Sequence, residues 1–130
     1  MKFLDCTLRD GGYYNAWNFS NDLIADYLEA MKGAGVDVVE LGFRFLKNQG
    51  FKGACAYTTD AFLESLQLPE NLVVGVMING SDLCTEIGIV GALEQLFPAQ
   101  AKDSPVELVR MACHFHELPQ AFEAAHLLED

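Results

Sequence analysis

The sequence predicts an α/β fold built on a parallel sheet, and three observations support this prediction. Four short apolar runs are continuous rather than alternating, which is typical of parallel strands covered on both faces. Their starts lie about 33 to 36 residues apart, near the length of one strand and one helix. Helix signals lie between successive runs. The predicted strands are residues 3–8, 36–41, 72–78 and 106–113.

The first helix is predicted between the first two strands. Ser20 is a suitable N-cap, Asp22 falls in the first turn, and Gly33 and Gly35 suit the helix exit. Five apolar side chains share one helical face, so this face should pack against the sheet. They are Leu23, Ile24, Tyr27, Leu28 and Met31.

Three further helices are predicted after the second, third and fourth strands. Thr59 opens the first of these and Pro69 ends it, while Gly88 and Gly91 interrupt the next. The last helix begins near Pro119, where a missing amide proton is harmless. The side chains expected to face the core are Phe62, Leu63 and Leu66, then Phe122, Ala125 and Leu128.

Strict alternation of strands and helices implies right-handed crossovers, in either a small open α/β sheet or half of an eight-stranded barrel. A complete barrel needs about 250 residues. We therefore expect residues 1–130 to be the amino-terminal half of a TIM-barrel catalytic domain, its first four βα units. An open doubly wound sheet is the alternative, although the first βα turn lacks the Gly-x-Gly-x-x-Gly phosphate cradle of nucleotide sites.

Composition excludes several classes of function. The formal charge of -11 would repel a phosphate backbone, so nucleic acid is not an expected partner. The chain shows no signal-peptide pattern and no apolar run near the ~20 residues of a membrane span, which favours a cytoplasmic protein without membrane contact. The four cysteines are singly spaced rather than paired as in zinc sites, and are expected to be buried reduced thiols. They are Cys6, Cys55, Cys84 and Cys113.

The segment from Leu4 to Gly12 is the most informative part of the chain for function. It is interpreted as a buried strand that ends in Arg9 and Asp10, followed by Gly11 and Gly12. A cation and a carboxylate at the end of a strand, beside glycines that let a ligand approach the backbone, predict a binding site. The alternative is a salt-bridged pair that caps the strand.

The residues Asp5-Cys6-Thr7-Leu8-Arg9-Asp10-Gly11 resemble the opening signature of the DRE-TIM metallolyases. This barrel superfamily includes 4-hydroxy-2-oxovalerate aldolase, 3-hydroxy-3-methylglutaryl-CoA lyase and isopropylmalate synthase. Val39-Glu40-Leu41-Gly42 and Val109-Arg110-Met111-Ala112-Cys113-His114 provide supporting matches, so the resemblance covers all four βα units. The Gly-Gly-Tyr-Tyr run is similar to the aldolase-like branch.

The resemblance implies a divalent-metal-dependent lyase or aldolase that acts on a small 2-oxo acid through a pyruvate-like enolate, in a homo-oligomer. By this likeness Asp10 ligates Mg²⁺ or Mn²⁺, Arg9 holds the enolate oxygen and Glu40 lies in the active site. A guanidinium and a hard cation both stabilise an oxyanion, which agrees with this chemistry. The family's His-x-His metal ligands lie on the seventh strand, outside these four units. A Claisen-type acyl transferase of the same superfamily is an alternative.

Glu40 lies in an otherwise apolar strand, where an unpaired carboxylate would cost several kcal/mol. We therefore expect it to pair with Arg9 and orient the guanidinium, the alternative being a solvated loop carboxylate. Strand alternation places His114 on the same face as Arg110, which predicts a site-lining histidine and a substrate-binding arginine. Tyr13 stands where the related aldolases have a histidine base. A phenol is a poor base, so Tyr13 is predicted to donate a hydrogen bond or a proton.

The connection from Arg44 to Tyr57 is long and basic, and contains Lys47 and Lys52. On a barrel such a loop would lie at the catalytic face, where Arg44 could bind an anionic group of the substrate. An ordered surface loop with solvated cations is the alternative. A competing function for the whole chain is a noncatalytic half-barrel that binds a second chain through exposed sheet edges.

Overall fold

The computed structural model describes residues 1–48 and 50–129, which form a four-stranded parallel sheet flanked by helices. The sheet order is β1-β2-β3-β4, so every strand pairs with its neighbour in the sequence. The strands are β1 (Leu4–Asp5), β2 (Val38–Phe43), β3 (Val73–Asn79) and β4 (Leu108–Ala112). The helices are α1 (Thr7–Gly11), α2 (Asn21–Gly33), α3 (Asp60–Ser65), α4 (Gly80–Leu83), α5 (Gly88–Leu96) and α6 (Leu118–Glu129). Short 3₁₀ turns span Gly12–Tyr14, Ala54–Ala56, Ala101–Asp103 and Phe115–Glu117.

The predicted α/β class with parallel strands is confirmed, and the strand order discriminates between its two versions. A doubly wound sheet reverses its strand order and carries helices on both faces. Here the order runs without reversal, as in consecutive strands of a barrel. The arrangement therefore favours barrel units over the open doubly wound alternative.

Helices α2 to α6 pack against one face of the sheet. Register places Val39, Val74 and Val76 on the same face, where they join the apolar side chains of α2 and α3. Farther along that face, Ile78 packs with α4, α5 and α6. The opposite face carries polar side chains, among them Glu40, and this is where the candidate site lies.

The first strand is shorter than predicted, because it ends at Asp5 rather than extending to residue 8. The Asp5 carboxylate accepts hydrogen bonds from the Thr7 amide at 2.9 Å and from the Thr7 hydroxyl at 3.1 Å. Such an aspartate turn redirects the backbone and starts α1 at Thr7. Arg9 and Asp10 therefore lie on a short helix after the strand, and the prediction that they end the strand is wrong.

The predicted N-caps of two helices are confirmed. The Ser20 hydroxyl accepts a hydrogen bond from the Leu23 amide at 3.2 Å, and the Thr59 hydroxyl accepts one from the Phe62 amide at 3.2 Å. Helix α3 nevertheless ends at Ser65, before the predicted stop at Pro69.

The predicted interruption of the third helix is confirmed at one glycine and wrong at the other. Residues 84–87 separate α4 from α5, and Gly88, which begins α5, adopts a φ of +71°, a conformation that favours glycine. Gly91 lies inside α5 and does not break it.

The buried face of the last helix differs from the prediction. Phe122 is 66% exposed, while Ala121 and Ala124 are buried. Small side chains at these two positions let α6 pack closely against the cluster that contains Leu83 and Ala92. The prediction that Phe122 faces the core is wrong, whereas Leu128 does pack partly against this cluster.

All four cysteines are unpaired, as predicted, but only part of the expected burial is observed. Cys55 is buried, and burial raises the pKa of its thiol to about 11. Cys84 is exposed, and Cys6 and Cys113 are half-buried. Within residues 1–48 and 50–129, none of the helices has both the length and the apolar character that a membrane span requires.

Candidate functional site

A β-bulge in β2 brings Glu40 and Phe43 to the same face of the sheet. Glu40 pairs with Gly75 and Phe43 with Met77, and the register shifts between Glu40 and Gly42. In a regular strand, residues three apart lie on opposite faces, so the extra residue of the bulge redirects the Phe43 ring. Gly42 is needed at this point, because a side chain there would collide with the Cys55 carbonyl and with Thr58.

Glu40 is the centre of the site, and two arginines share its carboxylate. Glu40 is fully buried. The Arg9 Nε–H donates to Glu40 Oε1 at 2.7 Å, and Arg110 Nη1 donates to Oε1 at 3.3 Å and to Oε2 at 3.2 Å. The partner expected for Glu40 is therefore present, and a second cation adds to it. A solvated loop carboxylate, the alternative for Glu40, is excluded.

The two arginines differ in their exposure. The Arg9 side chain is 13% exposed and its guanidinium lies 5.8 Å from the centre of the Phe43 ring. Burial alone would lower the pKa of Arg9, but the hydrogen bond and the charge of Glu40 outweigh this effect and raise it. Arg110 on β4 is 44% exposed. The cluster therefore places two arginine side chains around one buried carboxylate.

Asp10 lies at the outer margin of this cluster. Its carboxylate is 71% exposed and accepts a hydrogen bond from Arg9 Nη1 at 3.1 Å. In the described part of the chain, no group of three or more His, Cys, Asp or Glu side chains is arranged to hold a metal ion. Asp10 thus supplies one carboxylate, which by itself does not form a metal centre.

Tyr13 lies beside the site in an aromatic wall, the mutually contacting rings of Tyr13, Trp17 and Phe43. Its ring contacts Trp17 edge-on at 4.8 Å and Phe43 edge-on at 5.9 Å, between ring centres, and is 62% exposed. Phe43 also contacts the Arg9 guanidinium, so two predicted site residues, Tyr13 and Arg9, lie against the same ring.

His114 does not share a strand face with Arg110, so that prediction is wrong. Strand β4 ends at Ala112, and His114 precedes the Phe115–Glu117 turn. The His114 amide donates to Glu117 at 2.7 Å, and its 81% exposed side chain stacks on His116 at 5.6 Å. The described contacts of His114 are therefore with this turn rather than with Glu40. His126 is exposed, as predicted.

Arg44 is not the exposed loop cation that the sequence predicts, because its side chain is only 3% exposed. Its Nε, Nη1 and Nη2 donate to the Thr58 carbonyl, the Leu96 carbonyl and the Asp60 carboxylate at 3.0, 2.8 and 2.6 Å. Its guanidinium also lies over the Phe97 ring at 4.9 Å. Protein groups accept hydrogen bonds from all three of its nitrogens. Arg44 therefore has a structural function, and the prediction that it contacts the substrate is wrong.

Sequence reasoning missed Trp17, which binds the backbone of Arg9. The indole Nε1–H donates to the Arg9 carbonyl at 2.8 Å, and the residue is 6% exposed. The available signal was indirect: Trp17 is the single tryptophan of the chain and follows the double glycine by a few residues.

No protein-family model matches the chain, and no curated protein matches it. A solved structure similar to it is the N-terminal domain of a "putative aldolase" from Bacteroides vulgatus. The two are 26% identical with a TM-score of 0.76, and the match covers 99% of this chain and 41% of that one. The present chain thus spans about two fifths of the length of its structural neighbour, and the likeness supports an aldolase-like fold.

Proposed function

We propose that this chain is the amino-terminal half of an aldolase-like barrel that makes or breaks a carbon–carbon bond of a 2-oxo acid through an enolate. The observation that carries the proposal is the Arg9–Glu40–Arg110 cluster, in which two cations share a fully buried carboxylate beside the turn that follows β1. Barrel enzymes place their active sites at this carboxyl end of the strands. The likeness to the aldolase domain supports the same assignment.

The chemistry follows from where negative charge develops. In the cleavage of a 4-hydroxy-2-oxo acid, the C4 hydroxyl gives its proton to a base and becomes the aldehyde carbonyl as the bond between C3 and C4 breaks. The electron pair of that bond moves through C3 to the C2 carbonyl oxygen, and the enolate so formed carries a second negative charge besides its carboxylate. A preorganised cation aimed at the developing oxyanion lowers the barrier. Arg9 is the proposed partner of the enolate oxygen and Arg110 that of the carboxylate.

The geometry leaves donors available for these contacts. Within residues 1–48 and 50–129, Arg9 uses Nε and Nη1 for protein bonds and Arg110 uses Nη1. The remaining guanidinium N–H groups can bind an anion. Glu40 fixes the position of both cations, since each of them donates to its Oε1.

Tyr13 is the proposed hydrogen-bond donor to the oxygen at C4, the hydroxyl of the substrate or the carbonyl of the aldehyde product. Its exposed ring lies on the same aromatic wall as the Phe43 ring beside Arg9. A Claisen-type acyl transfer would use the same enolate with a thioester in place of the aldehyde, so the acceptor distinguishes these two reactions.

Dependence on Mg²⁺ or Mn²⁺ is a proposal for the complete barrel, with Asp10 as one ligand. The described residues contribute this carboxylate alone, so no step above is derived through a metal. A titration tests the assignment: Asp10→Asn should weaken Mn²⁺ binding to the complete barrel, and an unchanged affinity would show that Asp10 is not a ligand.

Enolate formation can be measured without knowing the aldehyde. In D₂O, an enzyme that forms the pyruvate enolate exchanges the pyruvate methyl protons for deuterium, and ¹H NMR follows the loss of the methyl signal. We expect exchange by the complete barrel in the presence of Mg²⁺ or Mn²⁺, and none by the 130-residue chain alone. A complete barrel that exchanges no protons under these conditions would refute the proposal.

A noncatalytic assembly function is the second candidate, favoured by apolar side chains at both margins of the sheet. Phe3 and Leu4 beside β1 are 61% and 37% exposed, and Phe115 and Phe122 near β4 are 89% and 66% exposed. Unpaired strand edges flanked by apolar side chains favour association. Sedimentation of the chain alone should show dimers or larger species, and a stable monomer would argue against both this candidate and the half-barrel.

A further inference from the structure

We propose that Trp17 is a positioning residue that holds Arg9 in its anion-binding orientation. This inference rests on the proposed function, in which Arg9 binds the enolate. It concerns a second support of Arg9 besides Glu40: the carboxylate fixes the guanidinium, and the indole fixes the backbone that carries it.

The hydrogen bond of Trp17 is made to the helix that carries Arg9. Helix α1 has five residues, and the last carbonyls of a helix lack partners within it. The indole Nε1–H donates to one carbonyl in this helix, that of Arg9, at 2.8 Å. A helix this short has little stability of its own, so an external donor fixes its orientation.

The packing of Trp17 joins α1 to the end of β2. The indole lies directly on Gly12, where any side chain would collide with the ring. Its other contacts are edge-on to Tyr13, Phe43 and Phe45, with ring centres 4.8, 5.5 and 5.0 Å away. The same indole therefore touches the carbonyl of Arg9 and the Phe43 ring beside the Arg9 guanidinium.

The backbone around Trp17 is held in an uncommon conformation. Ala16 and Trp17 have φ angles of 56° and 54°, in the left-handed region that residues with a side chain rarely adopt. Backbone bonds hold this segment in place: the Trp17 amide donates to the Gly12 carbonyl at 2.9 Å, and the Gly53 amide donates to the Ala16 carbonyl at 2.8 Å. Such strain persists where surrounding contacts enforce it and is concentrated at functional sites. Here the uncommon backbone conformation places the indole against the Arg9 carbonyl.

A first experiment needs no ligand. The ¹⁵N NMR signal of the Arg9 Nε–H reports its bond to Glu40, and Arg9→Lys assigns this signal among the three arginines of the chain. Trp17→Phe keeps an aromatic ring but removes the indole donor. We expect exchange of this proton with water to accelerate by ~10-fold in the variant, because the bond protects the proton only while it is formed.

A second experiment uses oxalate, a planar dianion that resembles the pyruvate enolate. Calorimetry on the 130-residue chain should give an oxalate Kd that rises by ~10-fold in Trp17→Phe, an effect that one lost orienting hydrogen bond can produce. Because the chain has a single tryptophan, its replacement by β-(3-benzothienyl)alanine, which has sulfur in place of the N–H, removes the donor at nearly constant shape. This replacement should weaken oxalate binding as much as Trp17→Phe.

Phe62→Leu is the matched control, since Phe62 is a half-buried aromatic residue of the same core on α3. It should lower the melting temperature without changing the Arg9 signal or the oxalate affinity. If Trp17→Phe behaves like this control, the positioning function is overturned. If the parent chain binds no oxalate but Trp17→Phe still accelerates exchange of the Arg9 Nε proton with water, Trp17 positions Arg9 and the proposed anion site is wrong.

Discussion

Arg44 and Glu40 are buried charged side chains in two regions of this protein, and their surroundings differ in an instructive way. At Arg44, two carbonyls and the Asp60 carboxylate use all three nitrogens of a nearly buried guanidinium. At Glu40, the buried group is a carboxylate whose partners, Arg9 and Arg110, are 13% and 44% exposed. In the first cluster each of the three guanidinium nitrogens has a protein acceptor. The second keeps cationic donors that a ligand can use.

The difference shows how to separate structural charges from functional ones. A buried guanidinium whose three nitrogens all have protein acceptors ties elements together, as Arg44 ties the loop after β2 to α3 and α5. In the described part of the chain, Arg9 Nη2 and Arg110 Nε and Nη2 have no protein acceptor, which fits the binding surface proposed around Glu40. Burial alone does not distinguish the two regions, whereas the guanidinium nitrogens left without a protein acceptor among the described residues do.

The largest expected effect is on stability at Arg44. Arg44→Met should lower the free energy of unfolding by about 3 kcal/mol, because Asp60 and two carbonyls lose a buried donor. Arg110→Met is the matched variant at the other region, and should cost about 1 kcal/mol, since Arg9 still pairs with Glu40. Urea unfolding measures both. Equal losses would erase the proposed distinction between the two regions.

The next largest effect concerns catalysis in the complete barrel. Arg9→Gln should lower the rate of pyruvate methyl exchange by ~100-fold, the scale observed when a preorganised oxyanion donor is removed. Arg44→Lys, which keeps a cation at the structural cluster, should leave the rate per folded molecule unchanged. An unchanged exchange rate in Arg9→Gln would show that Arg9 does not stabilise the enolate.

A smaller effect is expected at Glu40 itself. Glu40→Gln conserves the shape of the side chain but removes the charge that fixes two guanidiniums. We expect turnover to fall by ~10-fold, about 1.4 kcal/mol, because Arg9 is held less well. The fold should be retained, since Arg110 can turn to solvent. Circular dichroism and the exchange assay together check this, and a variant with parental activity would contradict the proposed orienting function.

The smallest effect is a pH dependence at the turn that starts α1. Burial raises the pKa of Asp5, but hydrogen bonds from Tyr27 at 2.6 Å and from Thr7 outweigh it and lower the pKa below its ordinary value. The resulting stability is present above the unfolded-state pKa near 3.8 and is lost as the pH falls through the lower folded-state pKa.

Tyr27→Phe should therefore be less stable than the parent by about 1 kcal/mol at pH 7, and the difference should shrink below pH 4. Tyr57→Phe is the control, because the Tyr57 hydroxyl donates to the neutral Asn48 amide oxygen at 2.7 Å. Its effect on the free energy of unfolding should not change with pH. Parallel pH profiles for the two variants would contradict the charge-dependent bond to Asp5.

The sequence by itself determined the features that depend on neighbouring residues. Continuous apolar runs specified parallel strands, because both faces of such strands are covered. Ser20 and Thr59 marked two helix starts, since an N-cap is a contact across three residues. Glu40 could be assigned a cationic partner because a buried carboxylate requires one, and the resemblance placed Arg9 in the same site.

The tertiary structure alone decided the features that depend on distant contacts. Arg110 meets Glu40 across 70 residues, and Arg44 is buried because Leu96, 52 residues away, accepts its hydrogen bond. The bulge that turns Phe43 toward Arg9 arises from the register between β2 and β3, which neither strand encodes by itself. Local patterns report burial and chain direction, whereas the partner of a buried charge depends on which elements the fold brings together.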